Sequence, residues 1–144
     1  MTESFWRVSI DQTTPEIAAT ITPPANAAGW HNSDPTLSFA CSDALSGVLS
    51  CSEPIVVTTE GQTQSFTGSA IDNADNSRDV GVSINLDKTP PVITATVEPL
   101  PNTAGWQNSD VQISFVCSDT LSGIASCPDP VLISSQPDNY AYSD

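Results

Sequence analysis

The sequence predicts an all-β protein with two tandem antiparallel β-sandwich domains, the second of which lacks its own final strand. Thr, Ser, Val, Ile, Pro and Gly dominate, and long runs of Ala, Leu, Glu and Lys are missing, which favours short strands joined by turns. Several short segments alternate apolar and polar residues, as a half-buried strand does. An internal repeat with a period of 76 residues, the distance from Trp30 to Trp106, divides the chain into two sets of such segments.

The first two strands follow from this alternation. They are EIAATIT at 16–22 and TLSFAC at 36–41, separated by the loop PPANAAGW and the five residues after it. One face of each strand is apolar and is expected to point into the sandwich. The inward residues are Ile17, Ala19, Ile21, Leu37, Phe39 and Cys41.

The later strands of the first unit are delimited by turn signals. SDALSG is predicted to be a turn because Asp43 and Ser46 can bond local backbone N–H groups and Gly47 accepts a positive φ. A short third strand ends at Cys51, and Pro54 then breaks the chain. Strands four and five are IVVTT and QSFTGSAI, DNADNS is a turn, and the last strand is VGVSINL. Six or seven short strands without a helical pattern predict a two-layer antiparallel sandwich.

The repeat also sets the domain boundaries. Between Asp11 and Pro54, 25 of 44 residues are identical 76 positions later. We therefore expect a first domain at 11–87 and an incomplete second domain at 88–144. Asp144 aligns with Gly68, so about twenty residues at the end of the first copy have no counterpart in the second. The linker NLDKTPPVI between them is stiffened by two prolines.

The four cysteines form two similarly spaced pairs, Cys41 with Cys51 and Cys117 with Cys127. Metal-site spacing such as C-x-x-C is absent, so the pairs predict two local disulfides and an oxidising compartment. The alternative is four reduced, buried thiols. Each disulfide would close a short loop and contribute about 3 kcal/mol in the chain-entropy model.

Charge and hydropathy exclude several function classes. Three basic residues and a net charge of −14 argue against nucleic acid and against anionic membrane surfaces, because both need Lys and Arg. The same charge is compatible with a divalent cation. No segment approaches the roughly 20 apolar residues of a membrane helix, so membrane insertion is not expected. No signal peptide is visible at the N-terminus.

Residues 1–10 repeat the closing strand of the first unit. In the 76-residue register, Trp6, Val8 and Ile10 fall on Val82, Ile84 and Leu86, although no domain precedes them. In one interpretation the chain is an excerpt from a longer array, and this segment is left over from the preceding repeat. In a second, residues 5–10, including Phe5, complete the second domain of another copy, which joins copies head-to-tail into a filament. In a third, the segment folds back within its own chain.

The motif GWxNSDxxxSFxCSDxLSGxxSC, the AxDxAxN turn at 70–76 and the linker DKTPP resemble the bacterial immunoglobulin-like repeats of secreted and cell-surface proteins, adhesins among them. The resemblance covers 11–91 and again 87–134. It implies two immunoglobulin-like domains in an exported spacer, stalk or fibre. Residues 137–144 depart from the pattern because they lack the AxDxAxN motif.

The resemblance also implies a Ca²⁺ ion at the junction between domains. The matching positions are Asp72, Asp75, Asn76 and Asp87, with Asp11 at the linker position of the first unit. These side chains offer the hard oxygen ligands that Ca²⁺ prefers. The alternative is turn chemistry, in which Asp and Asn satisfy backbone N–H groups.

Two further candidates belong to other function classes. Trp30 and Trp106 follow Gly in polar loops, where an exposed ring can stack on a glycan or a host surface; the alternative is that both rings cap the sandwich core. His31, Ser33 and Asp34 contain the residue types of a catalytic triad, but neighbouring residues cannot converge as one, and Gln107 replaces the histidine in the second unit. We therefore predict a non-catalytic structural protein, with a glycan-binding or surface-binding adhesin module as the alternative.

Overall fold

The computed structural model describes residues 7–134, which form nine β-strands and no helix. The chain divides into two compact units between Thr89 and Pro90. Unit 1 contains β1 (Glu16–Thr22), β2 (Thr36–Ser42), β3 (Val48–Cys51), β4 (Ile55–Val56), β5 (Gly61–Asp72) and β6 (Ser77–Leu86). Unit 2 contains β7 (Val92–Glu98), β8 (Val111–Ser118) and β9 (Val131–Ile133). The predicted all-β class is confirmed.

Unit 1 is a sandwich of two three-stranded antiparallel sheets, with strand orders β1-β2-β4 and β3-β5-β6. Its buried core is Leu37, Val57, Ile84 and Leu86. Partly buried apolar residues from both sheets surround this core, and they are Ala19, Ile21, Phe39, Ile55, Phe66 and Val82. The core thus contains inward residues of the predicted first two strands together with Ile84 and Leu86 of the closing strand.

The strand β4 is shorter than predicted, because Pro35 interrupts its pairing with β2. The sequence predicts a strand over 55–59, but only Ile55 and Val56 pair, with Leu37 and Thr36. Pro35 precedes that pairing and has no N–H to donate, although its carbonyl still accepts the Val57 N–H at 2.9 Å. In unit 2 a valine replaces this proline, and β9 pairs over three residues instead of two.

Unit 2 contains one described sheet, of strand order β7-β8-β9, and it repeats the first sheet of unit 1. Val92 pairs with Ser118 as Glu16 pairs with Ser42, in the same 76-residue register. Residues 124–127, the counterpart of β3, form no strand. In unit 1 β3 pairs with the end of β5, at 70–72.

None of residues 7–134 belongs to a helix that is long and apolar enough to cross a membrane.

Candidate functional site

The turn between β5 and β6 is organised by the carboxylate of Asp72, which is fully buried. Its Oδ1 accepts the N–H groups of Ala74 and Asn76, both at 2.8 Å, and its Oδ2 accepts the side-chain amide of Asn76 at 2.8 Å. Asp75 takes a positive φ of 65° in this turn, a conformation that Asp tolerates better than most residues. The AxDxAxN motif therefore encodes a carboxylate that closes its own hairpin.

The linker before unit 1 packs against this turn through Asp11. Its carbonyl accepts the side-chain amide of Asn76 at 3.3 Å, and its Oδ2 accepts the Ser46 N–H at 3.0 Å. Asp43, in the predicted SDALSG turn, accepts the N–H groups of Leu45 and Gly47. One carboxylate oxygen from each of Asp11, Asp43 and Asp72 lies within 4.8 Å of the others. Three turns that are far apart in the sequence therefore place three carboxylates close together.

The four predicted Ca²⁺ ligands, Asp72, Asp75, Asn76 and Asp87, do not lie together, so the expectation that they form a single site is wrong. Asp87 lies at the opposite end of β6 from Asp72 and Asn76, roughly 30 Å away for a ten-residue strand, and it is buried with its Oδ1 on the Thr89 N–H. Asp75 is exposed and is not one of the three clustered acids. The linker acid that reaches the turn is Asp11, which precedes β1.

Chemically, the cluster of Asp11, Asp43 and Asp72 offers hard oxygens of the kind that Ca²⁺ binds. Each of the three carboxylates also accepts backbone N–H groups, as the turn-chemistry alternative requires. Ca²⁺ binding stays a prediction, and in unit 1 its ligands would be these three acids.

Hydrogen bonds to Asp11 stabilise its ionised form. The Thr13 hydroxyl donates to Oδ1 at 2.6 Å, and Ser46 and the Thr13 N–H donate as well. These bonds hold the pKa of Asp11 well below its ordinary value, and the bond from the Thr13 hydroxyl has the largest effect. A carboxyl group with a lowered pKa stabilises the folded state above its unfolded pKa of about 3.9, and this contribution is lost as the pH falls.

Replacing Thr13 by valine is therefore expected to raise the pKa of Asp11 and to destabilise unit 1 at neutral pH. The stability difference from the wild type should shrink only as the pH falls through the pKa of Asp11 in the folded variant, because the pKa of Asp11 in the unfolded state is the same in both proteins and cancels. An NMR titration of the Asp11 carboxyl and urea unfolding at several pH values measure the two effects. Thr14→Val is the matched control, since Thr14 is exposed. A stability difference that does not change with pH would contradict the assignment.

The two tryptophan loops have the same backbone but different exposure. In each, an Asn side chain accepts two backbone N–H groups, Asn26 from Ala28 and Trp30 and Asn102 from Ala104 and Trp106. Trp30 is half-buried, which agrees with the core-capping alternative, whereas Trp106 is 67% exposed. Glycan or surface binding by these rings stays a prediction.

Comparison with protein-family models, with curated proteins and with solved structures finds no match for this chain.

His31, Ser33 and Asp34 do not form a visible catalytic arrangement. His31 is buried, and its Nδ1 has no hydrogen-bond partner among the described residues. Its backbone pairs with the end of β6 instead. Asp34 binds the ammonium group of Lys88 at 2.7 Å. The absence of catalysis stays a prediction.

Both predicted disulfides are present, Cys41–Cys51 and Cys117–Cys127, each with a Cα–Cα distance of 5.9 Å. In unit 1 the disulfide joins β2 to β3 and so links the two sheets. Two disulfides in a small chain indicate an oxidising, non-cytoplasmic compartment.

The predicted donor strand is described only in part. Phe5 and Trp6 lie outside the described residues, as do 135–144. Val8 and Ile10 are described, and they are 81% and 74% exposed. Their repeat counterparts Ile84 and Leu86 are 1% and 0% exposed.

Proposed function

We propose that this chain is a non-catalytic structural subunit of an extracellular or cell-surface fibre or stalk, in which residues 5–10 of one copy complete unit 2 of the next. The proposal depends above all on the exposed apolar face of the β7-β8-β9 sheet. Two disulfides and a net charge of −14 suit an exported, soluble scaffold.

The exposed face is the counterpart of a covered one. In unit 1, β1 contacts both β5 and β6 of the opposite sheet. In unit 2, Ile93 is 47% exposed and Val97 is 37% exposed, and no described strand lies over them. An exposed apolar face of this kind marks an interaction site, and a strand that lies over it would cover it as β5 and β6 cover β1 in unit 1.

The N-terminal segment has the pattern that this face requires. Val8 and Ile10 repeat Ile84 and Leu86 in the 76-residue register, and burial of the latter pair in unit 1 shows what the pattern does when a sandwich is complete. Burying Val8 and Ile10 between copies would contribute about 1.5–3 kcal/mol for each side chain. The contact is head-to-tail and does not close, so it generates a filament.

A double substitution of Val8 and Ile10 by aspartate is therefore expected to abolish assembly while leaving each subunit folded. Both side chains are exposed, and in the assembled state each charge would be placed in an apolar core, at a cost far above the gain from contact. Light scattering after size-exclusion chromatography measures the mass of the wild type and of the variant, and negative-stain electron microscopy shows whether filaments form.

The matched control is Leu49→Asp with Val56→Asp, which adds the same charge at side chains that are 58% and 59% exposed but outside the repeat of the closing strand. The control is expected to assemble like the wild type. A wild-type chain that remains monomeric at all concentrations, or a control that dissociates as fully as the variant, would contradict strand donation.

A further inference from the structure

In unit 1 the tryptophan loop is fastened to the end of β6 by backbone hydrogen bonds. The His31 N–H donates to the Asn85 carbonyl at 3.0 Å, and the Asp87 N–H donates to the His31 carbonyl at 2.9 Å. His31 thus forms a parallel bridge with Leu86. The Asn85 side chain adds a bond to the Gly29 carbonyl at 3.1 Å. The closing strand therefore also covers the end of the sandwich where the loop lies.

In unit 2 the corresponding loop has the same backbone conformation without a closing strand beside it among the described residues. The Asn102 N–H bonds the Trp106 carbonyl at 2.8 Å, as the Asn26 N–H bonds the Trp30 carbonyl at 2.9 Å. Gly105 has a φ of 84°, close to the 82° of Gly29. Among residues 7–134, however, no backbone pairs with Gln107 as Asn85 and Asp87 pair with His31. Trp106, which lies next to this open backbone position, is 67% exposed, whereas Trp30, which lies next to the paired position of unit 1, is half-buried.

We propose that residues 9–11 of a second copy dock in parallel beside the Trp106 loop, with the Gln107 N–H donating to the Ser9 carbonyl and the Asp11 N–H donating to the Gln107 carbonyl. This inference rests on the proposed strand donation and assigns its register. Ser9, Ile10 and Asp11 are the repeat counterparts of Asn85, Leu86 and Asp87. Docking covers part of the Trp106 ring.

Among residues 7–134, the hydrogen bonds of Asp11 use its carbonyl and its carboxylate and not its N–H. Its carbonyl binds Asn76, and its carboxylate binds Thr13 and Ser46. Asp87 makes both kinds of contact within unit 1, because its Oδ1 binds the Thr89 N–H while its own N–H binds His31. An Asp in this motif can therefore bind the residue two positions later through its carboxylate while its N–H binds a tryptophan loop. One contact is not carried over, since Ser9 is shorter than Asn85 and does not reach the loop carbonyl as the Asn85 amide does.

The test adds a peptide of residues 1–14 to the full chain carrying Val8→Asp and Ile10→Asp, which cannot donate its own strand. Amide hydrogen exchange of the ¹⁵N-labelled chain is followed by NMR. We expect the peptide to bind and the exchange of the Gln107 amide to slow by about tenfold or more.

A second peptide, N-methylated at Asp11, lacks the donor and is expected to bind about threefold to tenfold more weakly. The matched control is N-methylated at Thr14, whose repeat counterpart is Pro90 and has no N–H; its affinity should be unchanged. Binding without protection of Gln107, and without an effect of methylation at Asp11, would overturn the register and leave strand donation intact. No binding of the unmodified peptide would overturn strand donation itself.

Discussion

Replacing Gly68 by alanine is expected to destabilise unit 1 by about 1–3 kcal/mol or more, the cost of overfilling a packed interior. The aromatic ring of Phe39 lies directly over this glycine. A Cβ atom at residue 68 would be 2.2 Å from Cε1 of that ring, 2.4 Å from Cδ1 and 2.7 Å from Cζ. Phe39 also packs against the buried core, so its ring can move only by giving up those contacts. Urea unfolding measures the loss.

The matched control is Gly81→Ala on the neighbouring strand, where an added Cβ meets nothing within 4 Å. Since glycine is itself unfavourable in a strand, this variant is expected to be neutral or slightly stabilising. The double variant Phe39→Leu with Gly68→Ala replaces the ring by a smaller side chain. It should recover part of the lost free energy of unfolding, because the two residues are in contact and their effects are not additive. Equal unfolding midpoints for Gly68→Ala and the wild type would show that the ring can shift freely.

The strands could be predicted from the sequence because alternation is a local property. The predicted bounds of β1 match the structure, and those of β2 differ by one residue. The short β4 depends on Pro35, which precedes a different strand, and the contact between Phe39 and Gly68 depends on how two sheets face each other. Neither leaves a periodic trace in the sequence.

The sequence predicts that acidic residues gather at the β5–β6 turn, but it does not identify all three of the residues that do so. Of the residues that the turn motif marks, Asp72 belongs to the cluster and Asn76 does not, and Asp11 has the same position in the linker motif as Asp87. The predicted strand VGVSINL already separates Asp87 from the turn by its whole length. The approach of Asp11 to the turn depends instead on the packing of β1 against β5 and β6, and periodicity, which specifies only the buried face of a strand, contains no information on that packing. Asp43 joins through the fold of its own turn.

Replacing Asp72 by alanine is expected to destabilise unit 1 by about 2–4 kcal/mol. The side chain is fully buried, and it accepts two backbone N–H groups and one side-chain amide. Alanine leaves these donors without their acceptor, and the penalty for an unsatisfied buried group exceeds the net value of the bond that was lost. The turn that binds the linker through Asn76 and Asp11 should loosen with it.

The measurement is urea unfolding in the presence of a chelator, so that the loss reports hydrogen bonding without any metal. Asp79→Ala is the matched control: it removes the same charge from an exposed residue of β6 and is expected to change the free energy of unfolding by less than about 0.5 kcal/mol. If both variants unfold alike, the turn is not organised by Asp72. If Ca²⁺ then stabilises the wild type and Asp79→Ala but not Asp72→Ala, the same carboxylate also serves as a metal ligand, because an ion stabilises only the folded state that binds it.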